Sequence, residues 1–347
     1  MNHIASQYRD LLKHQTQVLV VMGLVLLAAV LTALWIGPIH FSFSDVFSKE
    51  NTMVRQVLAS IRLPRILAAM LAGAALSLSG YAMQRVLRNP LASPFTLGIS
   101  GSAAFGAAFF IVVVGIPAQL QSISFPLFHV AGQLSVGLFA FLFSLLSVLI
   151  ILTVIKHRGS RPSVIVLAGI MTSSLFSACT SAIQYFSNER QLAEIVFWTF
   201  GDPGRANYGA LSVQAIILIP IIIWMIRHRW DFALLQSGDD SASAGGLNPS
   251  RFRMRILVLS SLVTSIVVAS YGIISFVGLV APHLSRNFIK SESLSLGASV
   301  LFGALFLLVS DILARWVLQP VILPVSIVTA FFGAPFFILM LIRNREL

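Results

Sequence analysis

Long apolar runs constrain this chain more than any other feature of its sequence. They recur from one end to the other, each on the order of 20 residues, without the alternation typical of a β-strand. Short polar segments between them hold most of the charged residues, which are only 10% of the 347 residues. Because backbone polar groups in lipid must pair internally, such runs predict transmembrane helices. We therefore predict an all-α integral membrane protein with about ten transmembrane helices in one compact bundle.

The predicted spans form one transmembrane domain over residues 1–347. They cover residues 18–36, 66–86, 95–115, 127–155, 163–185, 211–226, 256–271, 273–289, 296–314 and 321–342. The seventh and eighth spans are separated only at Tyr271-Gly272, and a single span there would move the C-terminus to the other side of the membrane. Several spans are rich in small residues, as in 68–80, which lets helix backbones approach closely in lipid.

The placement of the basic residues predicts the orientation. With the N-terminus inside, about 16 of the 23 Lys and Arg residues fall on inner segments. This positive-inside bias and the even number of spans predict that both termini are cytoplasmic. It also explains the formal net charge of +11 without nucleic-acid binding. The single cysteine, Cys179, lies in an apolar run and excludes an internal disulfide framework.

The energy source for transport is limited by what the spans lack. Ion-coupled carriers usually place ionisable residues at mid-membrane depth, whereas here Asp311 lies near a span end and Glu194 in an outer segment. The sequence also contains no G-x-x-x-x-G-K-[ST] phosphate loop. An ion-coupled secondary transporter is therefore disfavoured, and a transporter driven by ATP would need an ATPase on another polypeptide.

The longest predicted inner loop, 227–255, is a candidate docking surface for such a partner. Asp and Ser residues beside Gly238 can begin a short helix, and Gly245-Gly246 can end it. A short helix on the cytoplasmic face would offer a partner a defined surface. A plain solvated connector is the alternative.

Nine short blocks, in order from about residue 55 to the C-terminus, resemble a known family. The chain resembles the permeases of iron-siderophore, haem and vitamin B12 ABC importers. The blocks are Ile61–Ala69, Gly73–Gly80, Arg88–Pro94, Leu97–Gly101, Leu167–Gly169, Phe197–Gly201, Phe276–His283, Leu323–Thr329 and Gly333–Phe337. The ten-span topology of the family agrees with the one predicted from charge and hydropathy.

The resemblance implies a multi-pass subunit in the inner (plasma) membrane of a prokaryote, working in an assembly. Two permease subunits, identical or related, would surround one pathway, with a dimer of ABC ATPases below and a substrate-binding protein outside. This chain would bind no cofactor, since ATP and Mg would be held by the ATPase. Arg62, Arg65 and Arg315 match arginines that dock the binding protein through its glutamates. The alternative for each is an arginine that anchors a span end at the membrane interface.

The same resemblance assigns residues at the cytoplasmic side. The coupling helix that contacts the ATPase would be formed by Gly238, Asp239, Asp240, Ala242, Gly246 and Leu247. Asn89, Pro162 and Ser163 match positions near a cytoplasmic gate, with helix capping and turn formation as the alternative. The expected cargo is an iron chelate, most frequently a siderophore, while haem, cobalamin and oxyanions such as molybdate stay open.

Some positions depart from the family pattern. Ile322 stands where a glutamate is usual, Ser326 where a glycine is usual, and Ser291-Glu292-Ser293 replaces an Asp-His-Arg-like triplet. In the coupling loop, Ala244-Gly245-Gly246 is smaller than usual. These departures bear on the lining of the pathway and on whether the two subunits are identical.

An intramembrane serine protease is a further alternative. Gly98-Ile99-Ser100-Gly101 resembles the G-x-S-G motif of rhomboid proteases, and His283 could act as a base if it lay within hydrogen-bond distance of Ser100. The Gly- and Ala-rich surroundings of Ser100 favour helix packing instead.

Overall fold

The computed structural model describes residues 2–39, 52–115 and 126–343. Thirteen α-helices account for most of these residues. They are α1 (Asn2–Trp35), α2 (Thr52–Val86), α3 (Ile99–Val114), α4 (Pro126–Arg158), α5 (Pro162–Tyr185), α6 (Glu189–Thr199), α7 (Tyr208–Arg227), α8 (Arg229–Gln236), α9 (Asp239–Ala244), α10 (Pro249–Tyr271), α11 (Val277–Phe288), α12 (Glu292–Trp316) and α13 (Val325–Arg343).

Helix α2 is the central helix of the bundle, packed against α10, α11 and α12. Its run of small residues allows this packing, because helix backbones can approach closely where side chains are small or absent. A Cβ atom added at Gly73 would lie 2.3 Å from the carbonyl oxygen of Gly303 in α12. One added at Gly80 would lie 1.7 Å from the carbonyl oxygen of Gly278 in α11. These two crossings therefore require glycine.

The peripheral helices keep apolar side chains on the outside, as a membrane protein does. In the most apolar window of α1 only 11% of residues are buried, against 83% in that of α2. Seven helices of the described residues are long and apolar enough to cross a membrane: α1, α2, α4, α5, α7, α10 and α12. Helices α3 and α13 are shorter and apolar. The prediction of an all-α membrane bundle of about ten spans is confirmed.

The predicted eighth span, 273–289, differs most from the structure. Its helix, α11, has 12 residues, which rise about 18 Å and cannot cross a hydrocarbon core of about 30 Å alone. The preceding residues are not helical, because Gly272 and Phe276 adopt positive φ angles of 82° and 67°. A Cβ atom at Gly272 would lie 2.6 Å from the carbonyl oxygen of Trp198. This region therefore combines an extended segment with a half-length helix.

The contacts at the two ends of α2 define an outer and an inner end of the bundle. Arg62 and Arg65, early in α2, contact the ends of α1 and α12, whereas Arg88, just after α2, contacts α8 and α9. The start of α13 also lies at the outer end, since the Leu323 amide donates to Ala314. Helix α1 therefore begins, and α13 ends, at the inner end, as the predicted even number of spans requires.

Candidate functional site

The three predicted docking arginines converge at the outer end of the bundle. Arg62 and Arg65 lie in α2 and Arg315 in the last turn of α12. Their relative exposures are only 4%, 7% and 3%. Guanidinium groups lose hydration when buried, so each must find acceptors within the protein.

Two of these arginines cap the C-terminal end of α1. The last four carbonyl groups of a helix lack partners within it and carry partial negative charge, which favours nearby cations. Helix α1 ends at Trp35, and its last carbonyls accept hydrogen bonds from two guanidinium groups. The donations are Arg315 to Ala33 (2.9 Å) and Ile36 (2.7 Å), and Arg62 to Leu34 and to Trp35 (3.0 Å). These hydrogen bonds therefore hold α1, few of whose residues are buried, against α2 and α12.

The buried carboxylate of Asp311 joins Arg65 and Arg315. Its two oxygens lie 2.7 Å from Nε of Arg65 and 2.9 Å from Nη2 of Arg315, and its side chain is fully buried. Arg65 also pairs at 2.9 Å with Asp202, whose side chain is 35% exposed. We call Arg62, Arg65, Arg315, Asp311 and Asp202 the outer cluster.

A neighbouring arginine, Arg205, caps the C-terminal end of α6 in the same manner. Arg205 donates to the carbonyl oxygens of Phe197 (2.7 Å) and Phe200 (3.2 Å). Burial lowers the pKa of the Arg205 guanidinium from its ordinary value, and the charge of Asp202 opposes that shift. Sequence reasoning assigned no role to Asp202 or Arg205, because neither contact is visible in a linear motif.

The docking role of Arg62, Arg65 and Arg315 stays a prediction. In the structure their guanidinium groups face acceptors within the protein. Of the two carboxylates that pair with Arg65, Asp202 is more exposed than Asp311.

At the inner end, the predicted coupling residues form a short helix and its two caps. Helix α9 covers Asp239–Ala244, between Gly238 at φ 120° and Gly246 at φ 83°. Residues that carry a side chain rarely adopt such backbone angles, so the two glycines determine where the helix begins and ends. The Leu247 amide donates to the carbonyl oxygen of Ala242 at 3.0 Å, which completes the C-terminal cap.

Helix α9 is packed onto the bundle rather than extended into solvent. Ala242 is fully buried in an apolar cluster that also contains Phe232 and Leu235 of α8 and Phe252 of α10. The same cluster includes Val86 at the end of α2. On the other side of α9, Asp240 is exposed. Asp239 forms ion pairs with Arg88 and Arg253.

The predicted gate residues occupy two separate turns. Asn89 follows α2, and its side-chain oxygen accepts a hydrogen bond from the Leu91 amide at 2.9 Å. Pro162 is the first residue of α5 and Ser163 is exposed beside it. Each therefore has a local role in a turn or helix start, and their assignment to a gate stays a prediction.

The positions that depart from the family pattern lie at both ends. Ile322 is 38% exposed in the connection from α12 to α13, and the Ser326 amide faces the carbonyl oxygen of Gly201 at 3.4 Å. Ser291 precedes α12, and its amide donates to the side chain of Gln15 at 3.1 Å. Gly245 follows α9 and leaves room beside Leu234.

The serine and histidine of the protease alternative have different neighbours. His283 in α11 packs against Phe336 and Phe337 of α13, with ring centroids 6.2 Å and 6.4 Å away. Ser100 begins α3, which packs mainly against α4 and α5. The geometry therefore gives no support to a Ser–His pair.

The fold is that of a polytopic α-helical membrane protein with a short helix packed on its inner face. Comparison with known proteins gives the family. The model of the FecCD transport family matches residues 25–343, and the chain belongs to that family.

Relatives and solved structures agree with this assignment. A protein of Methanocaldococcus jannaschii, provisionally assigned as an ABC transporter permease, is 40% identical over 95% of this chain and 97% of its own length. The hemin transport system permease of Yersinia pestis is 34% identical over 94% of this chain and 96% of its own length. A solved inward-facing ABC transporter, provisionally assigned to the metal-chelate type, superposes with a TM-score of 0.80 at 28% identity, covering 95% of this chain and all of that one.

The chain is therefore the permease subunit of an ABC importer and a multi-pass protein of the inner membrane. The predicted family is confirmed.

Proposed function

We propose that this permease imports an iron chelate, with an iron–siderophore as its cargo. ATP is hydrolysed by a separate dimer of ABC ATPases, and an extracytoplasmic binding protein delivers the cargo. The metal-chelate type of the structural neighbour and the hemin permease of Yersinia pestis support this class of cargo. A haem or cobalamin cargo is the second candidate within the same importer type.

The observation that carries the ATP-driven mechanism is helix α9 on the inner face. It is packed onto α8 and α10 and shares an apolar cluster with the end of α2, so α9 lies in direct contact with core helices. The chain carries no phosphate loop of its own. A partner ATPase that moves α9 therefore supplies the energy for alternating access.

A second copy of a permease subunit completes the pathway in this proposal. Helix α5 exposes Ser174, Ser177 and Ser181, which lie on one face at helical spacing. The hydroxyls of Ser174 and Ser181 donate to carbonyls of their own helix, at 3.0 Å and 3.1 Å. Such a face is weakly polar and holds no charge, which suits a water-filled pathway of low specificity between two subunits.

The binding protein docks at the outer end in this proposal, with Arg62, Arg65 and Arg315 as its charged contacts. A glutamate of the partner would replace Asp202 on the guanidinium of Arg65, since the side chain of Asp202 is 35% exposed there. We expect Arg62→Gln to weaken binding of the binding protein by about tenfold. The matched control is Arg190→Gln, an exposed arginine of α6 outside the cluster. Equal affinities of both variants and the wild type would contradict the docking assignment.

The experiment for the proposed function is uptake by proteoliposomes that contain the permease, its ATPase and its binding protein. We expect uptake of an iron–siderophore with ATP and without an ion gradient, and faster uptake of it than of haem or cobalamin. Uptake of haem alone would overturn the cargo but not the importer. Uptake that followed an ion gradient and ignored ATP would overturn the mechanism.

A further inference from the structure

The carboxylate of Asp239 holds helix α9 to two core helices through two arginines. Its Oδ1 atom lies 2.6 Å from Nη2 of Arg253, and its Oδ2 atom lies 2.9 Å from Nη1 of the same guanidinium. Nη2 of Arg88 lies 2.6 Å from Oδ1. The pair with Arg253 is therefore bidentate, a geometry that fixes orientation as well as distance.

Both arginines are themselves held by the bundle. The Arg253 side chain, in the second turn of α10, is only 3% exposed, and its Nε donates to the carbonyl oxygen of Val86 at the end of α2 (3.2 Å). Arg88 donates through Nη2 to the carbonyl oxygen of Leu235 in α8 at 2.6 Å. One carboxylate thus connects α9 with α10, the end of α2 and α8.

The electrostatics favour a permanently charged Asp239. Hydrogen bonding by Arg253 lowers the pKa of this carboxyl from its ordinary value, and the charges of Arg253 and Arg88 add to that shift against the effect of burial. Asp239 is therefore an anion throughout the neutral range, and the link does not open by protonation.

The adjacent acid provides a contrast. Asp240 is exposed, and among the residues that the structure describes it forms no ion pair. Two neighbouring carboxylates of one six-residue helix thus face different surroundings: Asp239 faces the permease and Asp240 faces solvent.

We propose that Asp239 is a positioning residue that transmits the movement of α9 to the inner ends of α2 and α10. Apolar contacts through Ala242 keep α9 on the surface but permit it to slide or rotate, whereas the bidentate pair with Arg253 resists both. The partner ATPase moves α9, and the pair makes α10 and α2 follow. This inference rests on the proposed ATP-driven mechanism and assigns to Asp239 a role within the permease instead of a contact with the ATPase.

The test compares Asp239→Asn with Asp240→Asn in the reconstituted complex of permease, ATPase and binding protein. Both substitutions remove one negative charge from the same helix and keep the side-chain size. The readout is the ratio of cargo taken up to ATP hydrolysed, measured in the same vesicles. We expect the ratio to fall by up to about fivefold for Asp239→Asn, the size of effect expected from a partly exposed ion pair, and to change less than twofold for Asp240→Asn.

A second pair of variants covers the case in which Asp239→Asn fails to assemble. Arg253→Lys keeps the charge but removes the bidentate fork, and Arg251→Lys makes the same change at an exposed position of α10. We expect only Arg253→Lys to lower the ratio. A wild-type ratio in Arg253→Lys or Asp239→Asn, in vesicles where the wild type takes up cargo with ATP, overturns the inference and leaves the proposed function intact. Absence of ATP-driven uptake by the wild type instead contradicts the proposed function.

Discussion

The two ends of the bundle use the same ion-pair chemistry in different surroundings. In the outer cluster, Asp311 is fully buried and lies between Arg65 and Arg315. At the inner end, the side chain of Asp239 is 47% exposed and lies between Arg88 and Arg253. Each carboxylate thus holds two arginines, but only the inner one belongs to a short helix on the surface.

This difference in burial indicates different roles: the outer cluster stabilises the fold, and the ion pair of Asp239 transmits movement. A buried ion pair is costly to form, and removing one partner leaves an uncompensated charge in a region of low dielectric. A partly exposed pair adds little stability because water and salt screen it. The outer cluster therefore secures the assembly of α1, α2 and α12. The pair of Asp239 with Arg253 at the inner end, which we call the inner pair, can control geometry without dominating stability.

The largest effect is expected from the buried carboxylate of the outer cluster. Asp311→Ala leaves Arg65 and Arg315 without their shared counter-charge and is expected to cost about 3–5 kcal/mol of stability. Thermal unfolding in detergent and the yield of folded permease measure this. Asp202→Ala is the matched control, since Asp202 is 35% exposed and Arg65 keeps Asp311; its cost should be about 1 kcal/mol or less. Equal losses in both variants would contradict the comparison.

A smaller effect is expected from the cap on α1. Arg315→Lys keeps the charge but cannot reproduce the donations to Ala33, Ile36 and Asp311 together, so about 1–3 kcal/mol should be lost. Because the end of α1 is then held less firmly, hydrogen exchange of its last turns should accelerate, measured by mass spectrometry on the peptides covering that region. Arg190→Lys serves as the control. Unchanged exchange in Arg315→Lys would show that these bonds do not secure α1.

The inner pair should affect stability less than the buried carboxylate of the outer cluster does. Asp239→Asn is expected to lower the stability of the permease by about 1 kcal/mol or less, because the pair is partly exposed. The same thermal-unfolding measurement decides this. A loss as large as that of Asp311→Ala would mean that the ion pairs at both ends mainly stabilise the fold. It would contradict the different roles assigned to the outer cluster and the inner pair.

No effect of pH is expected from the inner pair in the physiological range. The pKa of Asp239 is lowered from 3.8 by Arg253, so its stabilising contribution is complete above that ordinary value and is lost only as the pH falls through the lowered one. The ratio of uptake to ATP hydrolysis, corrected for the pH dependence of Asp239→Asn, should therefore stay constant between about pH 8 and pH 5. A decrease within that range that was specific to an intact Asp239 would contradict the assigned electrostatics.

The sequence predicts those parts of the fold that depend on local composition. Apolar length indicates the spans, the small residues near Gly73 and Gly80 indicate close helix packing, and Gly238 and Gly246 indicate the ends of α9. The half-length helix α11 is not predictable in this way, since it begins after Phe276, a non-glycine residue with a positive φ angle of 67° that no local pattern indicates.

The candidate sites show the same limit. The sequence identifies the arginines at the outer end but not their orientation, because Arg65 and Asp311 are 246 residues apart and meet only through the packing of α2 against α12. It likewise places Asp239 and Asp240 in one helix, but the positions of Arg88 and Arg253 in the structure are needed to show that Asp239 faces the permease.

The distance between α9 and α10 during the ATP cycle shows whether Asp239 makes the two helices move together. In a Cys179→Ser background, spin labels at Ser243 of α9 and Arg251 of α10, both exposed, report this distance by double electron–electron resonance. On adding a non-hydrolysable ATP analogue to the complete transporter, we expect the distance to stay constant while Asp239 is present, since the two helices move together. In Asp239→Asn it should change by about 1–2 Å or more, the size of an ordinary helix shift, and its distribution should broaden. The same response in both proteins would contradict the claim that Asp239 joins the two helices.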